Sequence, residues 1–182
     1  MKKNEIGRSM VEMLGVLAII GVLSFGALAG YSKAMLSIRT NKQLEQYNII
    51  VMAILKYYTE FAKTSEPSFL TQYFIELNEV PSNMIKTNVK YQIYDVFNNP
   101  IQIQTHSNST IFYIFADENS KKVNLATCLN IFKIAQIYQK DVDGVNIYGQ
   151  RLQKTDINMA KASELCSNKN TGNRYLSIHF ER

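Results

Sequence analysis

The most demanding piece of chemistry in this sequence is a carboxylate placed among apolar residues. From Met13 to Ala29 no residue is charged. With Met10 and Val11 before it and Tyr31 after it, the apolar run reaches about 20 residues, enough to cross a bilayer core of roughly 30 Å as a helix. Glu12 stands one turn inside that run. A charge in hydrocarbon costs roughly 3 kcal/mol or more, so such a residue either meets a counter-charge or snorkels to the headgroups near the helix start. Other reactive side chains are sparse. Cys128 and Cys166 lack C-x-x-C spacing, and the only histidines are His106 and His179, which leaves no metal-ligand set and no redox pair. The two cysteines are one disulfide or two reduced core thiols. Asp141-x-Asp143-Gly144 opens like a calcium loop, but the twelfth position of an EF-hand would be Leu152 and not glutamate. The segment is read instead as a hairpin turn before a strand over Val145 to Tyr148. There is no nucleophile elbow and no phosphate-cradling glycine loop, so no enzyme and no cofactor are expected.

Those residues must be carried by something, and the first candidate is a long helix. Beyond Tyr31 no helix breaker occurs before Ser65-Glu66-Pro67. Leu44, Tyr47, Val51, Ile54, Tyr58 and Phe61 recur at three- and four-residue steps and make an apolar face. Arg8 to about Lys63 therefore reads as one helix of roughly 80 Å. The alternative is a membrane helix followed by a separate core helix, with a bend near Ser37. Gly15, Gly21, Gly26 and Gly30 each cost about 1 kcal/mol in helix propensity. Gly26 and Gly30 form a G-x-x-x-G pair that permits close helix packing, although membrane helices carry glycine in any case. The run has no A-x-A-like cleavage site, which argues against a removed secretory signal.

The rest of the chain suits one α+β domain. Ser65 to Asn88 reads as a connecting loop with short helical pieces. Strands are expected over Val89 to Phe97, Ile101 to Thr105 and Ile111 to Ala116, with Asn98-Asn99-Pro100 as a turn between the first two. The all-apolar Ile111 to Phe115 run fits a central strand covered on both faces. Leu125, Leu129, Phe132 and Ala135 mark a second helix with Asn124 as its N-cap. Thr155 to Leu165 reads as a short helix delivering Cys166, Asn168 to Asn173 as an exposed polar loop, and Arg174 to Glu181 as a closing strand. The chain of 182 residues is 46% hydrophobic with a net charge of +5, and its twenty basic residues are scattered, so a nucleic-acid partner is not expected. Lys2, Lys3 and Arg8 precede the apolar run while Lys33, Arg39 and Lys42 follow it, so charge does not orient the helix.

The N-terminal pattern resembles the type IV pilins and pseudopilins. MKKNEIG resembles their short basic leader, Gly7 the residue after which a prepilin peptidase cuts, Arg8 the first mature residue, which is N-methylated, and Glu12 the glutamate four residues further on. Arg8 departs from the Phe or Met usual at that position. Val80-Pro81-Ser82-Asn83-Met84-Ile85, then VFNNPIQI, then TIFYIF, then Cys128 with Leu129, follow the order of the type IVb group, typified by toxin-coregulated and bundle-forming pilins; Ala29 stands where many other pilins carry proline. The resemblance implies a leader over 1–7, an assembly and transmembrane half of the helix over 8–31, an amphipathic half over 32–63, and a globular head over 64–182 with a long helix packed on an antiparallel sheet. It implies insertion in a bacterial inner membrane with a cytoplasmic leader and periplasmic head, an inner-membrane assembly platform as a partner, assembly between copies through Glu12, and helix packing at Gly15, Gly21, Gly26 and Gly30. An extracytoplasmic head also favours a Cys128–Cys166 disulfide, worth roughly 4 kcal/mol for a loop of about 39 residues. The implied function is a structural filament subunit; a secretion pseudopilin, a minor pilin and a non-polymerising membrane-anchored binding module are the alternatives.

Overall fold

The computed structural model describes residues 5–61, 68–86, 92–106, 109–116, 123–167 and 175–181. The chain divides into two units, Met1–Ile38 and Arg39–Arg182. Helix α1 is helical at every residue from Glu5 to Phe61, one helix and not a membrane helix followed by a separate core helix. Its residues up to 38 belong to the first unit and the remainder to the second.

The second unit is an α+β head. Its strands are β1 (Ser68–Phe69), β2 (Ile93–Tyr94), β3 (Pro100–His106), β4 (Ser109–Phe115), β5 (Val142–Ile147), β6 (Gln150–Gln153) and β7 (Tyr175–Glu181). They form an antiparallel sheet in the order β1-β3-β4-β7-β5-β6, with β2 also on β3. Helices α2 (Thr71–Glu76), α3 (Leu125–Ile137) and α4 (Met159–Ser167) complete the head. Ile101, Ile103, Phe112, Ile114, Leu176, Ile178 and Phe180 alternate along β3, β4 and β7, which sends them to one face of the pleat. There they meet Tyr47, Ile50, Val51, Ile54 and Tyr58 of α1 and Cys128, Ile131, Phe132 and Ala135 of α3. Tyr47 packs edge-on to Phe112 with ring centroids 5.5 Å apart.

Several expectations change at this level. The strand proposed over Val89 to Phe97 survives only as Ile93–Tyr94, residues 87–91 lying outside the described set. It stops because the Asp95 carboxylate accepts the backbone N–H groups of Phe97 and Asn99, folding the chain into a turn. β4 is central, between β3 and β7, and its second face is covered in part: Ile111 is buried there, while Tyr113 and Phe115 are half-buried. Tyr113 and Phe115 emerge on that face and shield themselves against Tyr175. The helix at Thr155 is a single 3-10 turn over Lys154–Asp156, and α4 starts at Met159 because the Asn158 side chain accepts the N–H of Lys161. Asn124 does cap α3, accepting from Thr127 N at 2.8 Å. The 168–173 loop lies outside the described residues.

The Asp143-Gly144 turn is also corrected. Both residues lie inside β5, where the register shifts between Val142 and Gly144. A Cβ on Gly144 would stand 2.7 Å from the Leu152 carbonyl, so glycine is required by the close approach of β6 and not by a reversal. The reversal occurs at Tyr148 (φ 51°) and Gly149 (φ 95°), a two-residue loop closing the Ile147–Gln150 pair. Tyr148 tolerates the left-handed conformation because its side chain is buried, with the hydroxyl donating to Val123 O at 3.2 Å. That burial raises its pKa to about 12.

Candidate functional site

The candidate site is the uncovered segment of α1 in the first unit. Among the described residues α1 is the one helix long and apolar enough to cross a membrane. Apolar side chains in a soluble setting turn one stripe inwards, yet here all sides are bare: Met10, Val11, Met13, Leu14, Val16, Leu17, Ile19 and Ile20, continuing to Phe25 and Leu28, are each more than half exposed. So large a bare apolar surface marks a site for lipid or for other protein. Glu12 is exposed within it.

Helical geometry sorts the singled-out residues. At 100° per residue, Gly15, Gly26 and Gly30 fall within about 60° of Glu12 around the axis, whereas Gly21 lies on the opposite side. Among the described residues, and leaving aside the adjoining backbone of the helix itself, nothing approaches within 4 Å of a Cβ built on any of the four. Their lack of side chains is therefore not demanded by contacts inside the chain. Gly7 and Arg8 lie in the first turns of α1, where the backbone is described and the side chains are not.

Cys128 and Cys166 form a disulfide between α3 and α4, with Cα atoms 5.7 Å apart, which decides against two reduced thiols. The two histidines do not meet. His179 sits on the outward face of β7 with Nε2 3.1 Å from Ser177 Oγ. Burial, with Arg151 adding to it, lowers its pKa to about 4, against a smaller opposing pull from Asp143. Asp143 is ion-paired to Arg151 instead. Ser177 is buried on a flat strand face, so this pair offers no hydroxyl to a substrate.

One constellation escaped the sequence reading. Asp95, although buried, has no ion pair among the described residues. Its Oδ2 accepts from Gln43 Nε2 at 2.6 Å, Tyr47 Oη at 2.7 Å and Asn99 Nδ2 at 2.8 Å, and its Oδ1 accepts the backbone N–H groups of Phe97 and Asn99. Gln43 also donates to Thr127 Oγ1 and accepts from Asn130 Nδ2, which in turn donates to Thr40 O. Gln46 Oε1 accepts from Val96 N. Burial first, and the Asp95 charge second, hold the Tyr47 hydroxyl well above its ordinary pKa, so it remains a donor. A signal was available: Gln43, Gln46 and Tyr47 stand on the helix face that must be buried, and buried amides need partners.

Comparison with protein-family models, with curated proteins and with solved structures found no match. The fold defines the class: an α+β head on a long N-terminal helix whose first part is apolar and bare.

Proposed function

We propose that this chain is a structural subunit of a type IV pilus or pseudopilus-like filament, held in a bacterial inner membrane before assembly. The observation that carries the reading is the bare apolar length of α1 from Met10 onwards with Glu12 inside it, on a helix whose remaining length is built into a disulfide-bonded head. Lipid satisfies the apolar side chains before assembly, and neighbouring copies of the same helix satisfy them afterwards. Prepilin peptidase cuts after Gly7 and leaves an ammonium on Arg8. Glu12 of a subunit already in the filament accepts that charge, and the Arg8 guanidinium is a second partner. At an effective dielectric constant near 20 and a separation of about 4 Å the pair gains roughly 4 kcal/mol before desolvation. That sets helix register, while apolar burial provides most of the adhesion. The glycines on the Glu12 side, Gly15, Gly26 and Gly30, permit close backbone approach. The assembly platform and other copies of the chain are the partners; no catalytic role is assigned.

The test is a Glu12→Ala variant expressed beside the unaltered chain, with intact-mass measurement of both after membrane extraction. The unaltered chain is expected to lack residues 1–7 and to form filaments. The variant is expected to be cut and membrane-retained yet unassembled. An uncut chain that stays monomeric would instead identify a non-polymerising, membrane-anchored binding module, and normal filaments from the variant would remove Glu12 from the mechanism.

A further inference from the structure

The buried polar cluster of the head has a geometry that apolar packing alone does not need. Along α1, Leu44, Tyr47, Val51, Ile54 and Tyr58 turn towards the head at three- and four-residue steps. A stripe of that kind adheres well but discriminates poorly between axial positions. Displacing the helix by one turn, about 5.4 Å, again sets apolar side chains against apolar ones. Hydrogen bonds behave differently, because they fail beyond about 3.5 Å and leave a buried group unsatisfied.

We propose that Gln43, Gln46 and Tyr47 of α1, with Asp95, Thr127 and Asn130, form a register lock that holds α1 at one axial position on the head. The six partners come from three elements: α1, the turn after β2, and α3. A one-turn slip in one direction sets Tyr47, Ile50 and Val51 where Gln43, Gln46 and Tyr47 stood, and Asp95 loses the Gln43 amide. A slip the other way brings Arg39, Lys42 and Gln43 to those places. Arg39 would then meet the Asp95 carboxylate, but Lys42 would be buried as a donor facing the Val96 N–H, which needs an acceptor. Asn130 gives both contacts of its amide nitrogen to α1, to Thr40 O and to Gln43 Oε1. The lock fixes the axial position of the α1 residues from Arg39 onwards within the head, and it holds whether or not the chain polymerises.

The test is a distance measurement by double electron–electron resonance on the full chain in detergent micelles. Spin labels are placed at Met52→Cys on α1 and Gln153→Cys on β6, both exposed, and the disulfide leaves Cys128 and Cys166 unreactive. The otherwise unaltered chain is expected to give one narrow distance. Asp95→Ala is expected to add a second population, displaced by up to one turn of about 5.4 Å. Gln43→Leu, which keeps apolar volume on the helix, is expected to do the same and carries the test if Asp95→Ala does not fold. A single unshifted distance in a folded variant, with only a lower melting temperature, overturns the proposal. So does loss of folding in both variants, since a register lock is not needed for compaction.

Discussion

Asp95 is a buried carboxylate solvated by five N–H and O–H donors and no cation among the described residues. Charge-assisted hydrogen bonds contribute about 1.5–3 kcal/mol each, which is how an unpaired anion persists under a helix. His179 is the opposite case, a base kept neutral. Its pKa of about 4 lies below the ordinary 6.5, so the native state binds fewer protons than the unfolded chain between those values. Stability from this group is therefore complete above pH 6.5 and is lost as the pH falls through 4. The side chain is partly exposed, and about 2 kcal/mol is the expected loss after solvent screening. Urea unfolding of the head at pH 7 and pH 4 should display it, and His179→Asn should flatten that part of the profile. An equally steep decline in the variant would assign the effect to other groups.

Among the elements, the β5–β6 hairpin depends on one missing methyl group. Gly144→Ala places a Cβ against the Leu152 carbonyl at 2.7 Å, a backbone atom that cannot swing aside. The expected result is about 1–3 kcal/mol of lost stability, with faster amide exchange along β6 and little change in β3 and β4. An unaltered melting temperature would show that the strands separate at no cost. The hairpin also explains a misreading. Asp-Gly is a strong reversal signal, whereas Tyr148-Gly149 is not, because an aromatic residue in the left-handed region depends on burial that a local pattern does not display. In the same way Asp95 reads as part of a strand over Val89 to Phe97 until its donors arrive from 48 and 52 positions away.

For the molecule as a whole, each buried hydrophobic residue of the core lies at position 47 or later. A chain lacking residues 1–38 is therefore expected to fold with an unchanged thermal midpoint and to need no detergent. A midpoint lowered by more than a few degrees would show that the head draws on the first unit. The bare apolar surface of that unit is the largest unsatisfied feature of the protein, and in the filament reading it carries the assembly.

Local pattern determined the long helix, its apolar length and the start of α3, because helical periodicity, the absence of breakers and a capping asparagine act within one or two turns. Cys128 and Cys166 could be paired by count, yet only their approach across α3 and α4 decided the bond. Tertiary structure alone placed Gly144 in a strand, left the second face of β4 only half-covered at Tyr113 and Phe115, and gathered Gln43, Tyr47, Asp95, Thr127 and Asn130 into one cluster. Partners so far apart along the chain leave no periodic trace, and their meeting is enforced by the cost of burying a polar group alone.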